Sequence, residues 1–162
     1  MKQNNKVEKY LSEAQEYADS NSGCRKVAVG SLLLPKGWSD SILIYGCNNT
    51  MPVSCKVYGC RRVELYGDDS KDHRLPSDCR SIHSEIDAIA QAARYGYATK
   101  GAILIVTRYP CEACARAIVD AGIKEVYYGR QQTISAETEA IFKRGGVKCV
   151  HITTWDYEDT RR

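Results

Sequence analysis

Four residues in two short stretches have the types and spacing to do chemistry together: His83 and Glu85 in "SIHSEIDAI" (81–89), and Cys111 and Cys114 in "YPCEAC" (109–114). One imidazole and two thiolates make three protein ligands, the count of a catalytic zinc whose fourth position stays open to water. Cys111 and Cys114 are three apart, which puts both sulfurs on one face of a helix, and Pro110 suits the start of that helix because it has no N–H to leave unpaired. Backbone amides and the helix dipole favour thiolates there. Glu85 lies two residues beyond His83, near a bound metal yet free to move a proton. Singly, these residues have plainer readings: a helix cap, a surface acid, a pair of core thiols. Their coincidence in one order and one context is what points to a site.

The elements that must hold them alternate along the chain. Residues 5–19 carry Val7, Leu11, Ala14 and Ala18 at helical spacing. "KVAVGSLLL" (26–34) and "SILIYGC" (41–47) are short apolar runs separated by the turn residues of "PKGWSD". A helix is predicted over 82–95 from Ile82, Ile86, Ile89, Ala90 and Ala93, with Ser81 as its cap. Strand 102–107, helix 111–121 ending at Gly122, strand 124–129, helix 135–144 ending at Gly145 and strand 147–152 follow. Five strands alternating with helices imply a three-layer α/β/α domain. His83 with Glu85, and Cys111 with Cys114, then fall in the first turns of two successive helices that can face one point.

Composition bounds what surrounds this core. A chain of 162 residues with 43% hydrophobic content suits one domain spanning 1–162. Its start is too polar for a signal peptide, and no apolar run approaches the roughly 20 residues of a membrane span. A cytoplasmic protein is expected, in which eight cysteines read as metal ligands or catalytic groups rather than a disulfide framework. The net charge of +3 gives no argument for a nucleic-acid partner.

His-x-Glu followed by Pro-Cys-x-x-Cys is similar to the signature of the zinc-dependent deaminases. Over roughly residues 5–152 the chain resembles the deoxycytidylate (dCMP) deaminase family, especially its bacterial late-competence branch. The resemblance rests on "SGCRKVAVGSLLL", "YGCNN", "HSEIDAI" and "YPCEACARAIVDAGIKEVYYG". Ser84, Asp87 and Cys47 stand where that family usually has Ala, Asn and Tyr; the first two flank Glu85 and bear on substrate choice. The resemblance implies a cytidine deaminase-like fold with a mixed five-stranded sheet. It also implies hydrolytic deamination of dCMP to dUMP with release of ammonia. Zinc would activate water, and Glu85 would act as acid and base.

By the same resemblance Asn48 meets the substrate sugar, while Ser22, Arg25 and Lys26 hold a 5′-phosphate. Lys26 takes the family's Arg position by spacing, and Arg25 offers the fork better matched to phosphate oxygens. The plainer readings are an Asn-Asn turn and a solvated basic turn. Cys24 and Cys149 are read as core thiols, and Tyr127 and Tyr128 as strand packing. A homo-oligomer and nucleotide effectors are further expectations from the family.

Residues 47–79 form a cysteine-rich insertion too long for an ordinary loop and too poor in apolar residues for a core. Cys55, Cys60, His73 and Cys79 make a Cys3His set, a usual structural zinc shell, with Cys47 in reserve. Related deaminases carry a second zinc in this insertion, so two ions per chain are expected, one catalytic and one structural. Two other readings compete with a dCMP deaminase. One is a deaminase of another cytosine compound or of a base in nucleic acid, for which Arg61, Arg62 and Tyr66 make a thin track. The other is an inactive zinc-stapled nucleotide-binding module, for which Glu85 has no use.

Overall fold

Successive residues of the central strands are apolar on both sides, and their alternation assigns each side to a different set of helices. The computed structural model describes residues 2–24, 26–48, 54–67, 79–131 and 135–157. Helix α1 (Lys2–Asn21) leads to strands β1 (Gly30–Leu34) and β2 (Ile44–Cys47), then to two short helices, α2 (Cys55–Tyr58) and α3 (Arg61–Tyr66). After them come α4 (Ser84–Arg94), β3 (Ile103–Arg108), α5 (Glu112–Asp120), β4 (Glu125–Arg130), α6 (Ala136–Gly145) and β5 (Lys148–His151). The strands make one sheet in the order β2-β1-β3-β4-β5. β1 is antiparallel to β2 and β3, whereas β3, β4 and β5 are mutually parallel because α5 and α6 return the chain between them.

Leu32, Leu34, Ile103, Ile105 and Tyr127 point to one side, where Val7, Tyr10, Leu11 and Ala14 of α1 cover them. Leu33, Leu104, Val106, Val126 and Tyr128 point to the other, against Ala88 and Ala92 of α4, Ile118 of α5 and Phe142 of α6. The result is the expected α/β/α sandwich around a mixed five-stranded sheet, with Tyr127 and Tyr128 packed on opposite faces as read.

Two glycines set how closely helices approach the sheet. A Cβ on Gly30 would lie 1.9 Å from the Ala14 carbonyl oxygen of α1, and one on Gly46 would lie 2.4 Å from the Ser84 carbonyl oxygen and 2.6 Å from the Ala88 nitrogen of α4. Both contacts are with backbone, which has no rotamer to yield. Gly46→Ala is therefore expected to cost at least the ~1–3 kcal/mol of ordinary overpacking, read as a lowered urea midpoint with unchanged slope.

Some boundaries differ from the sequence reading. β1 starts at Gly30 rather than at 26, and β2 at Ile44 rather than at 41. The cap of α4 is His83, in extended conformation with φ −81° and ψ 152°, and not Ser81, whose hydroxyl donates to the Ile82 carbonyl. The insertion holds the unexpected α2 and α3, while its residues 49–53 and 68–78 lie outside the described ones.

Candidate active site

The carboxyl end of β3 runs directly into Cys111, the residue before α5, and the loop after the insertion runs into His83, the residue before α4. Each is thus fixed where a helix begins, and the two helix starts face each other. The Nδ1 of His83 lies 3.5 Å from the Cys111 sulfur and 3.3 Å from the Cys114 sulfur. All three ligand atoms fall within 4.8 Å of one another, the one such trio among the described His, Cys, Asp and Glu residues. Tetrahedral zinc with ordinary Zn–N and Zn–S bonds sets its ligand atoms about 3.5–3.8 Å apart, so the donor set fits the ion in kind and spacing.

Electrostatics prepare the thiols. Cys111 is held down to about 3, first by a hydrogen bond from Cys114 and further by His83, against the opposing effect of burial. The same hydrogen bond, followed by burial, pushes Cys114 up. His83 is raised, chiefly by its hydrogen bond with Cys111. A metal that takes both sulfurs must therefore displace the Cys114 proton.

Glu85 lies beside the trio but not in it. It is 4% exposed, and that burial raises its carboxyl above the usual carboxylate range. A carboxyl so raised can hold and release a proton nearer neutrality. It lines a cavity of about 560 Å³ together with His83 and Cys111, a volume in the range of small-molecule sites.

The substrate residues named from sequence are placed unequally. Asn48 and Lys26 line the same cavity, and Lys26 is exposed there. The Asn48 carbonyl oxygen accepts from Ser22 Oγ and from Val29 N, both at 2.8 Å, and its Nδ2 donates to the Val27 carbonyl at 3.0 Å. Its oxygen is spent, so only the second amide hydrogen remains to meet a ligand: Asn48 is a donor, not the two-way partner that an Asn in general could be. Ser22 is fully buried, with its hydroxyl on Asn48 and on Cys24 N, and it supports Asn48 instead of reaching the cavity. Arg25 lies outside the described residues.

The insertion forms part of the cavity wall through Cys55, Cys60 and Cys79. Those three sulfurs do not converge as the trio does, and His73 lies outside the described residues. Arg80 clamps this wall: it donates to both Glu64 carboxylate oxygens at 3.0 Å and to the Gly59 carbonyl at 3.3 Å, joining α3 to the loop that delivers His83. Cys47 is fully buried against Ala18 and Ala28, and burial pushes its thiol up to about 12, so it is a core thiol and not a reserve ligand. Cys24 is the reverse case. It is only half-buried and lines the cavity beside the insertion cysteines. Cys149 packs against the core as read. Asp87 turns away from the cavity, accepting from Cys47 N at 2.9 Å and from Gln91 at 3.3 Å. Ser84 lies at the cavity floor.

The profile of the "cytidine and deoxycytidylate deaminase zinc-binding region" matches residues 4–130, which hold the trio, Glu85 and four of the five strands. The chain belongs to the cytidine and deoxycytidylate deaminase family. Among curated members it is 31% identical over 128 residues to ComE operon protein 2 of Bacillus subtilis, covering 78% of this chain and 60% of that protein. It is 28% identical over 141 residues to the deoxycytidylate deaminase of Schizosaccharomyces pombe, covering 86% and 42% respectively. The chain thus spans less than two thirds of the length of either relative. Its fold matches the dCMP deaminase of cyanophage S-TIM5 with a TM-score of 0.62 at 20% identity, over 90% of this chain and 95% of that one. Among the described residues no helix is long and apolar enough to cross a membrane.

Proposed function

We propose that the chain is a zinc-dependent hydrolase that converts dCMP to dUMP and ammonia. The observation that carries this reading is the buried Glu85 beside, and outside, a convergent His-Cys-Cys trio, with Glu85, His83 and Cys111 lining one cavity. A metal site that only stabilised the fold, or only bound a nucleotide, would have no need of a buried carboxyl next to it. His83, Cys111 and Cys114 hold the ion, which when bound supplies water activated at neutral pH. Glu85 would take a proton from the water that adds to C4, deliver it to ring N3, and then carry the proton of the new C4 hydroxyl to the leaving amine. One carboxyl serves each step if it stays within hydrogen-bond reach of the atoms in turn.

The choice of dCMP is supported by the family, by the relatives bearing that activity in their names, and by Lys26 on the cavity wall as a cation for a phosphate. The S-TIM5 enzyme has been solved with dCMP and dUMP, which agrees with a nucleotide-sized cavity. Asn48 offers its remaining amide hydrogen to a sugar hydroxyl. A cytosolic homo-oligomer responsive to nucleotides belongs to the same reading. Purified protein offered cytosine and adenine bases, nucleosides and nucleotides tests it, through ammonia release and product mass; deamination of adenine compounds alone would refute it.

The reading includes a second, structural zinc held by the insertion. Its support is that Cys55, Cys60 and Cys79 line the same cavity as Cys24, a fourth thiol, while His73 is the alternative fourth ligand. Elemental analysis should find two zinc ions per chain. Cys111→Ser should lose one ion, and Cys60→Ser should lose the other and open residues 48–79 to protease, because structural zinc binding, worth roughly 10–16 kcal/mol in small peptides, is also folding energy. Replacing Cys24 and His73 separately identifies the fourth ligand. One zinc in a folded, active chain would remove the second site.

A further inference from the structure

Glu85 is held by a relay of two hydroxyls that starts on an inner strand of the sheet. Its Oε2 accepts from Ser84 Oγ at 3.2 Å, and Ser84 Oγ accepts from Ser31 Oγ at 2.7 Å. Ser31 and Ser84 are fully buried, and Glu85 is 4% exposed. Ser31 is the second residue of β1, paired with Gly46 of β2 and Val106 of β3; Ser84 is the first residue of α4. The relay therefore joins the middle of the sheet to the helix start that carries the site.

Capping explains neither hydroxyl. The α4 cap position is His83, so Ser84, the residue after it, is not the cap. Buried hydroxyls cost free energy unless they are hydrogen-bonded, so alanine would fill either position more cheaply if packing were the only demand. With Ser31 donating to Ser84, the Ser84 proton is directed at Glu85. Gly46 keeps Ser84 at its depth, since the α4 backbone touches β2 there.

We propose that Ser84, held by Ser31, is a positioning residue for Glu85, anchoring one carboxylate oxygen so that the other faces the reacting atoms. The proposal rests on the role given to Glu85 above and adds the device that aims it. Proton carriage to three different atoms needs a carboxyl that pivots about a fixed point. A misplacement of about 1 Å at a reacting group can cost about 10²-fold in rate, and a hydrogen-bonded oxygen supplies the fixed point.

Three variants and two measurements test it. Ser84→Ala should lower kcat about tenfold with KM within about twofold, because the hydrogen bond orients a group that acts in the transition state and does not hold substrate. Ser31→Ala should lower kcat by less, and adding it to Ser84→Ala should change kcat no further, since Ser31 acts only through Ser84. Zinc content of the double variant should stay near wild type, and its melting temperature should be no lower than that of Ser84→Ala, since removing both serines leaves neither hydroxyl unpaired. The second measurement is independent of turnover. The Glu85 carboxyl carbon resonance in ¹³C-labelled protein, assigned by its loss in Glu85→Gln, should move in Ser84→Ala and move less in Ser31→Ala.

A Ser84→Ala variant with wild-type kcat overturns the proposal. So does a fall in kcat with the Glu85 resonance unmoved, because the effect would then not pass through Glu85. Wild-type protein inactive on every compound would instead sink the deaminase reading, and the carboxyl resonance would still decide whether Ser84 anchors Glu85.

Discussion

Glu85→Gln is expected to cut turnover by at least the ~10²- to 10⁴-fold typical of a general acid–base group while zinc content stays at the wild-type level. Gln keeps the volume and one acceptor oxygen of the buried side chain, so the Ser84 hydroxyl still finds a partner. What it loses is the ability to take up and give back a proton. The variant should also be no less stable than wild type, and the direction follows from linkage. Burial raises the folded-state pKa of Glu85 above its unfolded value, so the folded state binds more protons and stability falls as pH rises from the unfolded to the folded pKa. Above that window the ionised carboxylate opposes folding, and a neutral amide removes the opposition. Chelated, metal-free Glu85→Gln should thus match or exceed wild type in melting temperature at pH 7–8, and the difference should vanish below about pH 4, the ordinary range of a free carboxyl. Lost activity with retained or raised stability is the mark of a group kept for function at some cost to the fold. Full ammonia release by this variant would end the proposed role of Glu85.

The trio and Glu85 were legible because their constraints are local. Three-residue spacing in Cys111 and Cys114, a Pro before them and a two-residue step from His83 to Glu85 each follow from one helix start, and the apolar alternation shows that such starts recur after strands and loops of one sheet. What the sequence hid is long-range or side-chain-made. The run at 26–34 reads as a continuous strand, yet 27–29 are taken up by Asn48, which binds Val27 O and Val29 N with its amide and Val29 O with its own N–H. A side chain imitates the next strand, and no periodicity reports that. Ser31 and Ser84 meet across 53 residues, and nothing in either neighbourhood marks the pair. Cys24 and Cys47 changed places because burial of a thiol depends on which wall its loop lines, while α2 and α3, with four and six residues, are too short to show a helical period.

Substrate choice is the second large effect. Wild-type protein should turn over dCMP with a kcat/KM at least about 10²-fold above that for deoxycytidine, because a phosphate held by cationic donors gains hydrogen bonds of ~1.5–3 kcal/mol each and the nucleoside has none of them. The cavity wall places Lys26 where it can supply one such contact, and Arg25, its neighbour in sequence, would supply the forked one. Binding energy from a remote phosphate can also raise kcat, since it holds the ring against Glu85 and the ion site, so the loss should not be confined to KM. Changing Arg25 and Lys26 together to Ala should bring dCMP down towards deoxycytidine while the weak deoxycytidine rate stays nearly constant. Asn48→Asp separates sugar from phosphate in the same assay. It removes both amide hydrogens, the one free to meet a hydroxyl and the one on the Val27 carbonyl, and puts a negative charge beside the cavity, so it should depress both substrates and leave their ratio closer to wild type than the double Ala variant does. The order of these ratios locates the phosphate: equal efficiencies for dCMP and deoxycytidine in wild-type protein would mean that no basic group of this chain reads it, and the monophosphate assignment would fall.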